Sequence, residues 1–187
     1  MTRSSLVLSL GLSAAAMLVA AGCSAMPGAV DAASLDTSHD YDATKLAQAW
    51  DKLGDDIGAE NPKVVSISVT DTTVTASATD PDAPTELNDW TVSGSKVLPS
   101  VPVDYDNNVE GLKQSVFDMD DIDPKVVAAF ADEAVKRAKI EKGEVQSVLV
   151  RRDLPTSTKI QMTASVQGER DGKTVVGDDK GSVLSVD

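Results

Sequence analysis

The sequence predicts an α+β protein of two tandem repeats, each a helix followed by three antiparallel strands (helix-strand-strand-strand), behind a signal peptide and a flexible tether. Three observations predict it. Apolar residues recur at helical spacing in two stretches, each introduced by an aspartate. Runs rich in β-branched residues follow both stretches. Corresponding positions also keep a constant separation: Thr44 and Lys125 lie 81 residues apart, as do Val64 and Val145.

The first two dozen residues have the parts of an export signal, with Arg3 at the start, an apolar run from Leu6 to Ala21, and then small residues. A bilayer span takes about 20 apolar residues, so this run is short for a permanent anchor. Cys23 closes it and is the only cysteine in the chain, which leaves no intrachain disulfide to form. Residues 1–22 are therefore expected to be removed as a signal peptide. Ordinary secretion, with cleavage near Gly22 or Ala25, is the other reading of these residues alone. Residues 23–40 include Pro27 and Gly28, have no apolar period, and read as a tether with a random-coil reach of roughly 20 to 25 Å. The sole histidine, His39, lies in that tether.

The first repeat is expected over residues 41–103. Asp42 is placed to cap a helix in which Leu46, Ala49, Trp50, Leu53 and Ile57 form one apolar stripe, and Gly58 with Asn61-Pro62 ends it. "KVVSISVTD" and "TVTASATDP" read as a hairpin about Asp71-Thr72-Thr73, and "NDWTVSGSKVL" as a third strand. Residues 104–122 read as a linker. The second repeat, 123–187, starts with Asp123 as cap and Pro124 at the first helical position, followed by the stripe Val127, Phe130, Ala131, Ala134 and Ala138. "EVQSVLVRRD", "TKIQMTASVQGE" and "GSVLSVD" supply its strands. Trp50, on the helix stripe, and Trp90 read as core fillers.

The chain has 17 Lys and Arg against 30 Asp and Glu, a net charge of −13. Removal of residues 1–22 takes away Arg3 and no acid, leaving −14. Nucleic acid, whose phosphates need a basic footprint, is excluded as a partner. The same charge keeps the body from lying flat on an anionic membrane within a Debye length of about 8 to 10 Å.

Two resemblances follow. Val19-Ala20-Ala21-Gly22-Cys23 resembles the lipobox of bacterial lipoproteins, with Ala20 where leucine is commoner. The resemblance implies that the Cys23 thiol carries diacylglycerol, that Cys23 becomes the first residue, and that the protein is a palmitate-bearing lipoprotein of the extracytoplasmic face of the cell membrane. One acyl chain holds a protein marginally, at about 0.8 kcal/mol per buried methylene, whereas two hold it stably. The paired helix-and-sheet plan is similar to tandem PepSY-like modules and to the layout of outer-membrane assembly lipoproteins and β-lactamase inhibitor proteins. "VFDMDDIDPKVVAAFADEAVKRAKIEKGEVQSVLVRRDLP" more narrowly resembles the second half of lipoproteins from high-GC Gram-positive bacteria. These resemblances imply fold and address, and no reaction.

Candidate sites are few. Asp118, Asp120, Asp121 and Asp123 could offer carboxylate oxygens to calcium, but they fail the EF-hand spacing, and helix capping accounts for them as well. Arg151 and Arg152 could meet an anionic head group; neighbours on a strand point to opposite faces, and a charged edge strand is the alternative. No Cys–His pair can form, and no carboxylate pair is singled out. No cofactor is expected. The expected function is a non-enzymatic, membrane-anchored module binding an envelope protein or peptide. The alternatives are a carrier of a small or lipid ligand and a carboxylate-dependent hydrolase.

Overall fold

Each long helix starts on an aspartate and strands β1, β2, β6 and β7 carry β-branched residues, and the architecture follows from how those pieces pair. The computed structural model describes residues 41–187. The elements are α1 (Ala43–Ile57), β1 (Lys63–Val69), β2 (Thr73–Thr79), β3 (Leu87–Ser93), β4 (Lys96–Pro102), α2 (Val109–Ser115), β5 (Phe117–Asp118), a 3-10 turn (Met119–Asp121), α3 (Pro124–Ala138), β6 (Glu144–Arg152), β7 (Ile160–Gln167), β8 (Gly172–Asp178) and β9 (Val183–Val186). The Asp42 carboxylate accepts from the Thr44 and Lys45 amides at 3.0 and 2.9 Å, satisfying donors that a helix start leaves open. Gly58, at φ 75°, ends α1 with its amide donating to the Gly54 carbonyl. Asp123 caps α3 through the Lys125 amide at 2.8 Å, with Pro124 in the first turn.

The strands form one nine-stranded antiparallel sheet in the order β4-β3-β2-β1-β6-β7-β8-β9, with β5 paired to the start of β1. The β1–β6 pairing, from Ser66 opposite Arg151 to Val69 opposite Val148, joins the two halves of the chain into a continuous sheet. Three strands per half were expected and four are present. In the first half, "NDWTVSGSKVL" is not one strand: Gly94, at φ 57°, turns it through Gly94-Ser95 into the hairpin of β3 and β4. In the second half the additional strand is β8, whose apolar alternation is broken by Gly172, Lys173 and Gly177.

Gly177 has a packing reason. A Cβ there would lie 2.5 Å from a ring carbon of Phe130, so the aromatic ring occupies the space a side chain would need. Both long helices lie on one face of the sheet, α1 over β2 and β3 and α3 over β6 to β9, and they touch each other. The α1 stripe is large (Leu46, Trp50, Leu53, Ile57) and faces a sheet whose β2 contributes small Ala76 and Ala78. The α3 stripe is mostly small, which brings that helix close to the strands, with Phe130 as its one large filler. Trp50 and Trp90 are both core residues, and the Trp50 indole N–H is buried with no acceptor among the described residues.

Residues 104–122, read from the sequence as a linker, carry α2, β5 and the 3-10 turn, and they bury Leu112, Phe117, Met119 and Ile122. Phe117 pairs with Val64, and the Met119 amide donates to the Pro62 carbonyl at 2.9 Å. Among the described residues no helix is long and apolar enough to cross a membrane.

Candidate functional site

Period-two alternation gives the strands a second face, opposite the helices. Strand β2 shows it most simply: Val74, Ala76 and Ala78 are fully buried toward the helices, whereas Thr73, Thr75, Ser77 and Thr79 are half-buried on the other side. Register extends this into rows across seven strands. One row runs Asp178, Gln161, Arg151, Ser66, Ser77, Asp89, Val101; the next runs Val176, Thr163, Leu149, Ser68, Thr75, Thr91, Leu98. Neighbouring hydroxyls bond across strands, Thr75 Oγ1 to Thr91 Oγ1 at 2.9 Å, and the Ser77 hydroxyl donates to the Asp89 carboxylate. In these rows Arg151 is the only charge on the four central strands, in a chain of net charge −13. Leu98 and Val101, 40% and 59% exposed, form an apolar margin on β4.

At one end of this open face lies a cavity of about 450 Å³ beside α2, walled by Val65, Leu87, Tyr105, Leu112, Leu154 and Pro155. The local sequence builds α2 from its caps. The Asn108 side chain accepts from the Gly111 amide at 2.9 Å, and a Cβ on Gly111 would come within 2.4 Å of that same side chain. Ser115 Oγ donates to the Gly111 carbonyl at 2.8 Å, and the Tyr105 hydroxyl donates to the Thr85 carbonyl. Asn108, Ser115 and Tyr105 at the rim are thus engaged with backbone groups and Gln114 with the Glu110 carboxylate at 3.4 Å, and the walls that remain are apolar. Leu154-Pro155, a cis peptide, closes the side next to β6.

The expected site residues divide. Arg151 is exposed on the open face and Arg152 is on the helix side, opposite Ile160. Arg152 Nε donates to the Val116 carbonyl at 3.0 Å and its guanidinium also donates to the Thr158 carbonyl, which ties the β6–β7 loop to the segment before β5. The alternative reading of these arginines as part of an edge strand is corrected: β6 is central, paired to β1 and β7, and it tolerates Arg151 because its open face is wet. Asp118 forms an ion pair with Lys63, Asp123 serves as the α3 cap, and Asp120 and Asp121 are exposed in the 3-10 turn. Among the described residues no three His, Cys, Asp or Glu side chains are grouped to hold a metal ion. Cys23 and His39 lie outside the described residues.

Two titrating groups are displaced for structural reasons. The amides of Ser182 and Lys180 donate to the Asp178 carboxylate at 2.8 and 3.0 Å and hold its pKa below the usual range. Burial, and then the nearby Asp71 carboxylate, push the Tyr41 hydroxyl up, while that hydroxyl donates to the Val69 carbonyl at 3.3 Å. The α2 cavity is the feature that sequence reasoning missed; its signal was Asn108 three residues before Gly111, with Leu112 following.

No family model matches the chain, and no curated protein matches it. Among solved structures, the chain is similar to a crystal structure of a candidate lipoprotein from Clostridium difficile 630, at 17% identity and a TM-score of 0.51, over 73% of this chain and 88% of that one. At that identity the likeness is one of fold: the chain shares the α+β architecture of a protein described as a lipoprotein.

Proposed function

We propose that the protein is a lipoprotein anchored through diacylglycerol on Cys23 at the extracytoplasmic face of the cell membrane, and that it binds an envelope protein or peptide on the open face of its sheet. The observation that carries the binding role is the contrast between the faces. The helix side is consumed by the core, while seven strands present hydroxyls, one central arginine and an apolar margin to solvent. The lipobox-like segment ending at Cys23 supports the address, as does the fold shared with a candidate lipoprotein. We read the role as binding and not catalysis because the α2 cavity is walled mainly by apolar side chains. The order of helix and four strands in each half supports treating the halves as copies of one PepSY-like module.

Affinity capture from intact cells tests this. The wild-type chain should retain a stoichiometric protein that is lost from a Thr75→Lys, Thr163→Lys variant shown to remain folded; equal capture by both would refute the face assignment. Labelled palmitate should enter the wild-type chain and not Cys23→Ser. A second reading, a carrier of a small or lipid ligand, is favoured by the apolar walls of the α2 cavity. Extracted lipid in place of a retained protein would support it.

A further inference from the structure

The sheet ends on two different edges. Among the described residues five large apolar side chains are exposed, and all five lie on the edge strands: Val97, Leu98 and Val101 on β4, Leu184 and Val186 on β9. On β4 the edge is blocked. The two-residue turn at Gly94-Ser95 makes Ser93 and Lys96 the closing hydrogen-bonded pair, so alternation turns Val97 and Pro99 outward. Further along, the Val103 amide donates inward to the Leu87 carbonyl at 2.8 Å, which sets Pro102 outward as well. Prolines at two outward positions offer no N–H to an added strand.

On β9 the edge is open. Thr174 and Asp187 exchange both main-chain bonds at 2.9 Å, so Val186 points its N–H and C=O away from β8, and Leu184 follows in the same alternation. No proline or lysine stands in Val183–Val186. Val186 is opposite the buried Val175, which places it on the helix side of the sheet, and the alternation puts Leu184 on that side too.

This edge is complementary to itself. When a second β9 runs antiparallel to the first with Ser185 on the two-fold axis, Leu184 of each copy is opposite Val186 of the other. The outward groups of both residues then exchange main-chain hydrogen bonds, their side chains cover one another on the helix side, and the two Ser185 side chains meet on the open side. We propose that β9 is a dimer edge whose occupant is a second copy of the chain, so that the sheet continues from one copy into the other. A contact of this length buries much less than the ~1,200 Å² of a standard interface, so the dimer is transient. Both copies are acidic, and salt strengthens it by screening their repulsion. Neither Cys23 nor docking on the rows of hydroxyls enters this pairing, so it stands or falls apart from the proposed function.

Disulfide trapping in the full mature chain is the test. Opposed residues without mutual hydrogen bonds in an antiparallel pair have Cα atoms about 4.5 Å apart, within disulfide reach. Under mild oxidation Ser185→Cys should give a covalent dimer whose yield rises with protein concentration and with salt. Ser100→Cys, on the blocked edge, should give none above the background that Cys23 sets in the wild-type chain. Adding Leu184→Lys, at a position 59% exposed, should lower the Ser185→Cys yield about tenfold. Val186→Pro removes an outward N–H and no bond to β8, and should lower the yield similarly in a chain that urea unfolding shows to be folded. A Ser185→Cys yield no greater than that of Ser100→Cys, or one that Leu184→Lys leaves unchanged, would overturn the proposal; the first of these is the result expected if the edge receives an extended segment of a different protein.

Discussion

The two faces of the sheet are made from the same strands, and they differ in what the fold requires of them. Toward the helices, alternate residues such as Val74, Ala76, Val148, Val150, Met162 and Ala164 are fully buried, and each is fixed by what it touches. Away from the helices, the intervening residues are mostly Ser, Thr and Gln, and they are under no such constraint. A β-strand writes both faces with one period, so the sequence that specifies the core leaves the other face free for recognition. That face is interrupted by α2, where an apolar cavity forms beside groups that the core does not use.

Substitutions that probe this contrast should span a wide range. Phe130→Ala, which empties the space above Gly177, should cost about 3–5 kcal/mol in urea unfolding. Thr75→Ala, equally central on the open face, removes one cross-strand hydroxyl pair and should cost about 1 kcal/mol or less. Equal losses at the two positions would erase the distinction between the faces. Gly177→Ala should cost about 1–3 kcal/mol by driving a methyl group into the Phe130 ring, and the loss should shrink in a Phe130→Leu background. Asp123→Ala and Asp42→Ala should each cost about 1 kcal/mol through their lost caps. Thr75→Lys loses the same hydroxyl pair and should likewise cost about 1 kcal/mol or less in stability, while abolishing binding.

A pH series sharpens the comparison at the sheet end next to β9. The folded pKa of Asp178 lies below its unfolded value, about 3.9, so its contribution is present above that pH and is lost as pH falls through the folded value. Urea midpoints should therefore separate Asp178→Asn from wild type at pH 7 and converge in strong acid. A constant gap would mean that the amide contacts of Ser182 and Lys180 do not depend on the charge.

Much of the helix face was legible in the sequence. Asp42 and Asp123, two long apolar stripes and four alternating strands located α1, α3, β1, β2, β6 and β7, because those elements satisfy local and packing demands with the same residues. The rest was hidden where one demand displaced the other. β8 lacks strand-like alternation because Phe130 takes the place of a side chain at Gly177, and a single apolar run concealed the β3–β4 hairpin. α2, a helix of seven residues, carries too little periodicity to be seen and stands on the Asn108 cap. The open face was legible only as the complement of the core. Arg151 and Arg152 illustrate the limit: alternation correctly sent them to opposite faces, but only the pairing of β6 with β1 shows that they sit at the centre of a sheet.

Site-specific crosslinking in intact cells tests the docking face most directly. A photoreactive residue placed at Thr75, on the open face, and one placed at Asp51, on the solvent side of α1, differ in which side of the molecule they report. Adducts to a discrete protein from position 75 and none from position 51 are the expected result. Adducts from position 51 alone would place recognition on the helices and contradict the account.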